Sequence, residues 1–165
     1  MPESIRIIPW LEGRCSFYAI ERDGVCLADA FLEELDVEDP FAAKRLRAFL
    51  EMISNETHVR QVYLRPERPE LGVFAMYNHK ELVAEPYNRS RLLCSYVGQS
   101  NRLLLLGSGF IKLTDQPIQR NGLANREAEF LYDIARKVGQ RIECGGEILV
   151  IGSELVPLSN DSFDF

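Results

Sequence analysis

Residues 90–138 constrain the fold more than any other stretch, because two apolar strand-forming runs and a long amphipathic helix follow one another in close order. Residues 91–97 and 102–112 are rich in Leu, Val, Phe, Ile and Tyr, and Gly98-Gln99-Ser100-Asn101 between them has the composition of a hairpin loop. A hairpin of this kind must bury a face against another element. The helix that follows supplies one: Ala124, Ala128, Leu131, Ala135 and Val138 recur at intervals of four and three, with Phe130 and Ile134 widening the stripe. Gly139 is placed to end it.

Upstream, residues 14–20 read as a strand at or next to a sheet edge, closed by the turn signal Arg22-Asp23-Gly24. From Val25, the residues Leu27, Ala28, Phe31, Leu32 and Leu35 fall on one helical face, leaving Glu33, Glu34 and Asp36 for solvent. Asp39-Pro40 then opens a second helix, since Asp can accept from the orphan N–H groups and Pro at the first helical position loses no bond. Its stripe is Ala42, Leu46, Phe49, Leu50 and Ile53, with His58 just past its end. Two helices so closely joined predict an antiparallel pair laid on a sheet.

Pro66 and Pro69 mark residues 65–70 as loop or extended connection, and residues 72–77 as the strand that follows. Gly107-Ser108-Gly109 lacks the frame of a phosphate loop and predicts a bulge or a close approach inside a strand. Beyond the last helix, residues 141–152 predict a hairpin turning at Gly145-Gly146, followed by an acidic tail, residues 159–165.

At 165 residues, 46% hydrophobic and 27% charged, the chain can bury one core. Residues 1–139 are expected to form one domain, with 140–165 as an extension packed on it. The longest apolar run, residues 103–106, is too short to span a bilayer, and no basic segment leads into an apolar one near Met1, so a cytoplasmic protein with no membrane partner is expected. Cys15, Cys26, Cys94 and Cys144 are scattered, with only His58 and His79 to assist them. Neither a metal nor another cofactor is expected from such spacing, and the thiols should be reduced.

The net charge of −6 argues against a polyanion as partner until its distribution is considered. Residues 1–56 carry 6 basic and 12 acidic side chains, and residues 140–165 carry 1 and 5, whereas residues 57–112 carry 8 basic and 4 acidic. A basic centre between acidic ends points to an anionic ligand. Charge complementarity also predicts that Asp161, Asp164 and the terminal carboxylate fold over that basic centre.

The order strand, two helices, three strands, helix resembles the RelE/HigB-like toxin superfamily, the phage-derived HigB-type branch above all. Its members often carry Y-R-V-L-Y in one strand and H-G-F-V-K-K-T-x-K-T-P in the next. Arg91 matches the strand arginine, Gly109-Phe110 the Gly-Phe pair and Lys112 the first lysine, while Thr114 and Pro117 keep the frame up to a one-residue deletion. Ser108 stands in place of the histidine, Leu113 and Gln116 in place of the other lysines, and Tyr77 in place of the arginine of an earlier W-E-L-R.

The resemblance implies an α+β, RelE-like fold: a curved antiparallel sheet of three to five strands, packed against an N-terminal helical hairpin and a C-terminal helix, with the last hairpin added. It implies a type II toxin-antitoxin toxin, a metal-independent endonuclease that cuts mRNA on the ribosome and is neutralised by a cognate antitoxin. In that chemistry a base takes the ribose 2′-OH proton, the oxygen attacks the adjacent phosphate, and cations hold the developing charge. Arg91, Lys112, His79 and Tyr77 are the implied catalytic residues, and Lys80, Arg89 and Arg102 the implied RNA contacts. The substituted positions leave a second reading open, a catalytically silent protein of the same fold that binds protein or RNA.

Overall fold

The computed structural model describes residues 3–76, 90–111 and 122–165. Nine strands and three α-helices occur among these residues: β1 (Ile5–Leu11), β2 (Ser16–Arg22), β3 (Val25–Cys26), α1 (Leu27–Glu38), α2 (Pro40–Ser54), β4 (Leu64–Arg68), β5 (Val73–Met76), β6 (Ser90–Val97), β7 (Ser100–Ile111), α3 (Gly122–Glu143), β8 (Ile148–Ile151) and β9 (Glu154–Pro157). The fold is mixed α+β. Seven strands form one sheet in the order β1-β2-β7-β6-β5-β4, with β3 pairing β2, and β8 and β9 form a separate hairpin.

The sheet corrects the expectation of three to five antiparallel strands. β2 runs parallel to β7, with Ser16 opposite Leu103 and Ala19 opposite Leu106, while β4, β5, β6 and β7 pair antiparallel. A strand buried on both faces needs no polar alternation, and residues 16–20 and 103–106 are buried without exception. One face carries α1 and α2 over Phe17, Ala19, Leu92, Cys94, Leu104 and Leu106. The other carries α3 and the last hairpin over Tyr18, Ile20, Leu93, Leu103 and Leu105.

Local chemistry explains most boundaries. Asp39 accepts a bond from the Ala42 N–H at 3.1 Å and Pro40 opens α2, as its sequence requires. Gly98 and Gln99 both have positive φ, +58° and +63°, and Val97 pairs with Ser100, so the β6–β7 connection is the tight two-residue turn whose twist suits a hairpin. Asp23 and Gly24 do the same between β2 and β3.

Four boundaries differ from expectation. β1 was not among the expected strands; its Pro9 sits at a register shift in an edge strand, where a missing N–H is tolerated. β4 occupies the proline-containing connection and is also an edge strand, with its own shift near Pro66. α3 runs past Gly139 to Glu143, because Ile142 packs into the second core beside Gly98 and outweighs the roughly 1 kcal/mol that a helical glycine costs. The final hairpin therefore turns at Gly152-Ser153 rather than at Gly145-Gly146.

Residues 140–165 pack on the domain at β1 and β2. Ser153 Oγ donates to the Gly13 carbonyl at 2.7 Å, the Leu155 N–H donates to the Tyr18 hydroxyl at 2.9 Å, and the Phe165 N–H donates to the Ile5 carbonyl at 2.8 Å. Asp164 pairs with Arg6 at 3.0 Å, and Arg141 donates to the Ser162 carbonyl at 2.8 Å while lying 3.7 Å from the Phe165 ring centre. The acidic tail thus docks on β1, at the sheet edge opposite β4, and among the described residues its bonds go to β1 and α3 rather than to the arginines of residues 57–111.

The glycine pair of β7 marks a bulge. Leu92 faces Gly109 but Cys94 faces Leu106, so β7 has one residue more than β6 in this interval. A Cβ on Gly109 would sit 2.4 Å from the Phe31 ring of α1. Gly109→Ala is expected to cost about 1–3 kcal/mol in urea denaturation, and Phe31→Leu in the same chain to recover part of the loss.

Asp36 of α1 and Arg47 of α2 form a two-bond clasp at 2.6 and 2.9 Å, and the bond from Arg47 holds the Asp36 carboxyl below its usual range. A carboxyl depressed by folding stabilises above its unfolded pKa and loses that contribution as pH falls through the folded value. The stability advantage of wild type over Asp36→Asn should therefore shrink as denaturation is repeated at falling pH below the ordinary carboxylate range.

Candidate functional site

Strand alternation aims Arg91 at the α3 side of the sheet, with Leu93, and sets it directly opposite Phe110 of β7. The two sequence motifs that carry the family resemblance are thus cross-strand neighbours. Arg91 is only 1% exposed. Its Nε lies 3.4 Å from Glu67 Oε1 on β4, and one terminal nitrogen donates to the Ser90 carbonyl at 3.0 Å. Glu67 is itself largely covered and lies 3.8 Å from Arg65. Removing a guanidinium from water is expensive unless an anion meets it, and here an internal carboxylate does so.

Beside this pair, Arg68 ties β4 to the exposed Glu70 and, across the interface, to Asn125 of α3, with Glu129 at 3.8 Å. The cations of β4 and β6 are therefore engaged with carboxylates and amides of the protein itself.

Arg102 lies far from Arg91. It begins β7 at the other end of the strand, eight residues from Phe110 or about 26 Å along an extended chain. Its Nε donates to the Arg14 carbonyl at 2.9 Å, so part of its role is to hold the residues before β2. Lys112, His79 and Tyr77, and with them Lys80 and Arg89, lie outside the described residues. Of the seven expected site residues the structure places two, and it does not bring those two together.

A second polar constellation sits at the β6–β7 turn, at the other end of β6 from Arg91. The chain leaving α2 passes alongside the end of that hairpin. Two hydrogen bonds fix it there: the Val59 N–H donates to the Asn101 carbonyl at 2.7 Å and the Tyr96 hydroxyl donates to the Val59 carbonyl at 3.1 Å. A cleft of about 580 Å³ opens between the two segments, lined among others by His58, Arg60, Gln61, Tyr96, Gln99 and Asn101.

Arg60 also lies 5.8 Å from the Tyr63 ring centre, whose hydroxyl donates to Glu56 at 3.0 Å. Burial first, and Glu56 second, push the Tyr63 hydroxyl pKa upward, which keeps it a neutral donor. His58, read from sequence as a helix-end residue, has Thr57 Oγ1 3.2 Å from its Nδ1. The signal for this cleft was the run Thr57-His58-Val59-Arg60-Gln61, five residues with no carboxylate in a chain of net charge −6.

The thiols offer little chemistry inside the fold. Cys94 is fully buried and its pKa is driven well up by desolvation, and burial also raises Cys15. Cys144 is exposed. Among the described residues no three His, Cys, Asp or Glu side chains converge as metal ligands, and no helix is long and apolar enough to cross a membrane.

The Arg91–Glu67 pair makes a direct prediction. Glu67→Leu leaves a buried guanidinium without this carboxylate and is expected to cost about 3–5 kcal/mol, whereas Arg91→Leu with Glu67→Leu should be less damaging than either single change. Urea denaturation of the three variants, read as a double-mutant cycle, measures this.

Compared with models of known protein families, with curated proteins and with solved structures, the chain matches none.

Proposed function

We propose that the chain is a RelE/HigB-like toxin of a type II toxin-antitoxin system, a metal-independent endonuclease acting on ribosome-bound mRNA and neutralised by a cognate antitoxin. The observation that carries this reading is the register of β6 and β7. Arg91 and Phe110, taken from two separate family motifs, lie directly opposite one another on adjacent antiparallel strands. The order of β2, the helices α1 and α2, the strands β4 to β7, and α3 supports it further.

On this reading Arg91 stabilises the charge that builds on the phosphate as the 2′ oxygen attacks. Glu67 then has two consequences. It keeps the guanidinium solvated by protein in the resting state, and it competes with the phosphate for the same cation. An RNA phosphate must displace Glu67, and the α3 side of the sheet must admit it.

A specific observation favours the second reading, a catalytically silent RelE-fold protein that binds protein or RNA. Arg91 is fully buried and both faces of the sheet carry helices. On that reading Arg91 and Glu67 serve the fold alone.

Induction of the wild-type chain and of Arg91→Lys in bacteria separates the two. The nuclease reading expects growth arrest with ribosome-dependent mRNA cleavage by the wild type, and a loss of cleavage on the order of 100-fold in the folded variant, because lysine cannot reproduce the planar donor fork. Absence of arrest and of cleavage by the wild type rejects the nuclease and leaves the binding module.

A further inference from the structure

The cleft at the β6–β7 turn stands apart from Arg91, the described member of the implied catalytic set. Tyr96 and Arg91 are five residues apart on β6, about 16 Å along the strand, and they belong to opposite faces of the sheet. A ligand in the cleft therefore leaves Arg91 untouched.

Three properties narrow what the cleft accepts. The first is charge: Arg60 and His58 line it, and no carboxylate does among the described residues, although the chain as a whole carries 25 acidic side chains. An anion is the ligand that this arrangement favours. The second is size. A volume of about 580 Å³ far exceeds what a bare inorganic anion fills and falls in the range of small organic ligands.

The third is the nature of the walls. Val62, which is exposed, and Tyr96, whose hydroxyl is fixed on the Val59 carbonyl, supply apolar and aromatic surface, while the amides of Gln61, Gln99 and Asn101 each offer a donor beside an acceptor. Paired donors and acceptors next to an aromatic wall suit the edge and face of a nucleobase. The walls are also preorganised, since the tight turn at Gly98-Gln99 and the two bonds to Val59 leave little to order on binding.

We propose that this cleft binds a nucleoside phosphate, with the phosphate at Arg60 and His58 and the base against Tyr96 and the amides. The nucleotide comes either free or as one residue of a single-stranded RNA; the chemistry recognised is the same. Arg60 is exposed and lies outside both hydrophobic cores, so its replacement leaves the fold intact.

The full chain, Arg60→Ala and the control Lys44→Ala, whose charge lies on the exposed side of α2, are each titrated with AMP, with a fluorescent single-stranded RNA of about ten nucleotides and with inorganic phosphate. Thermal melting checks that all three fold. Binding of AMP or RNA by the wild type is expected to weaken by about tenfold in Arg60→Ala, as for a lost charge-assisted hydrogen bond, and to be unchanged in Lys44→Ala. Binding of AMP that displaces the RNA assigns both to the cleft; binding of RNA alone identifies the RNA residue as the source, and binding of AMP alone the free nucleotide. The proposal is overturned if neither binds, if Arg60→Ala and Lys44→Ala behave alike, or if inorganic phosphate binds as tightly as AMP. Growth arrest and mRNA cleavage test the nuclease separately, so either idea can fail without the other.

Discussion

The parallel pairing of β2 with β7 is the contact on which the rest of the architecture depends. It joins a strand from the start of the chain to one far beyond α1 and α2, and it does so with residues buried on both sides. A parallel pair cannot be closed by a short turn, so the intervening chain must travel over a face of the sheet. The helices α1 and α2 do this on one side. α3 and the segment after it then cover the other, and Tyr18 of β2, through its bond from Leu155, anchors that second layer. Loss of the β2–β7 pair would separate β1 and β2 from the strands β7 to β4 and open both cores at once.

Sequence was most informative where a single period governed a whole element. The stripes of α1 and α2, the Asp39-Pro40 start and the three strands β5, β6 and β7 follow from spacing and capping alone. It was least informative where partners distant in sequence decided the outcome. Pro66 read as a break because edge position, which excuses a missing donor, is a property of the assembled sheet, and β1, with Pro9 in it, had no reading at all. Gly139 read as a stop because Ile142 had no visible partner until β6 and β7 had folded beneath it. The unbroken leucines of residues 103–106 were the clue to a doubly covered strand with a parallel neighbour, where three to five antiparallel strands were expected.

The candidate site shows the same division. The hairpin reading of residues 91–112 put Arg91 and Phe110 on adjacent strands. It could not announce that Glu67, from a segment read as loop or extended connection, would meet the guanidinium inside the protein. Nor could it reveal the cleft, whose two walls come from the exit of α2 and the tip of a hairpin some forty positions later, about the separation of Val59 from Asn101. Net charge by segment marked a basic centre; among its described residues Arg65, Arg68 and Arg91 lie against carboxylates of the protein, and Arg60 remains at the surface.

The extra residue in β7 works as a phase shift. Before it, Leu103 and Leu105 look toward α3 and Leu104 and Leu106 toward α1 and α2; after it, Phe110 looks toward α3 and Gly109 toward Phe31. Even and odd positions have exchanged sides. Removing one residue between Leu106 and Gly109 would equalise the two strands at two steps each, so the kink would go while Gly109 still looked toward Phe31 and Phe110 still met Arg91. Adding one residue instead, with the kink kept, would turn Phe110 toward Phe31 and away from Arg91.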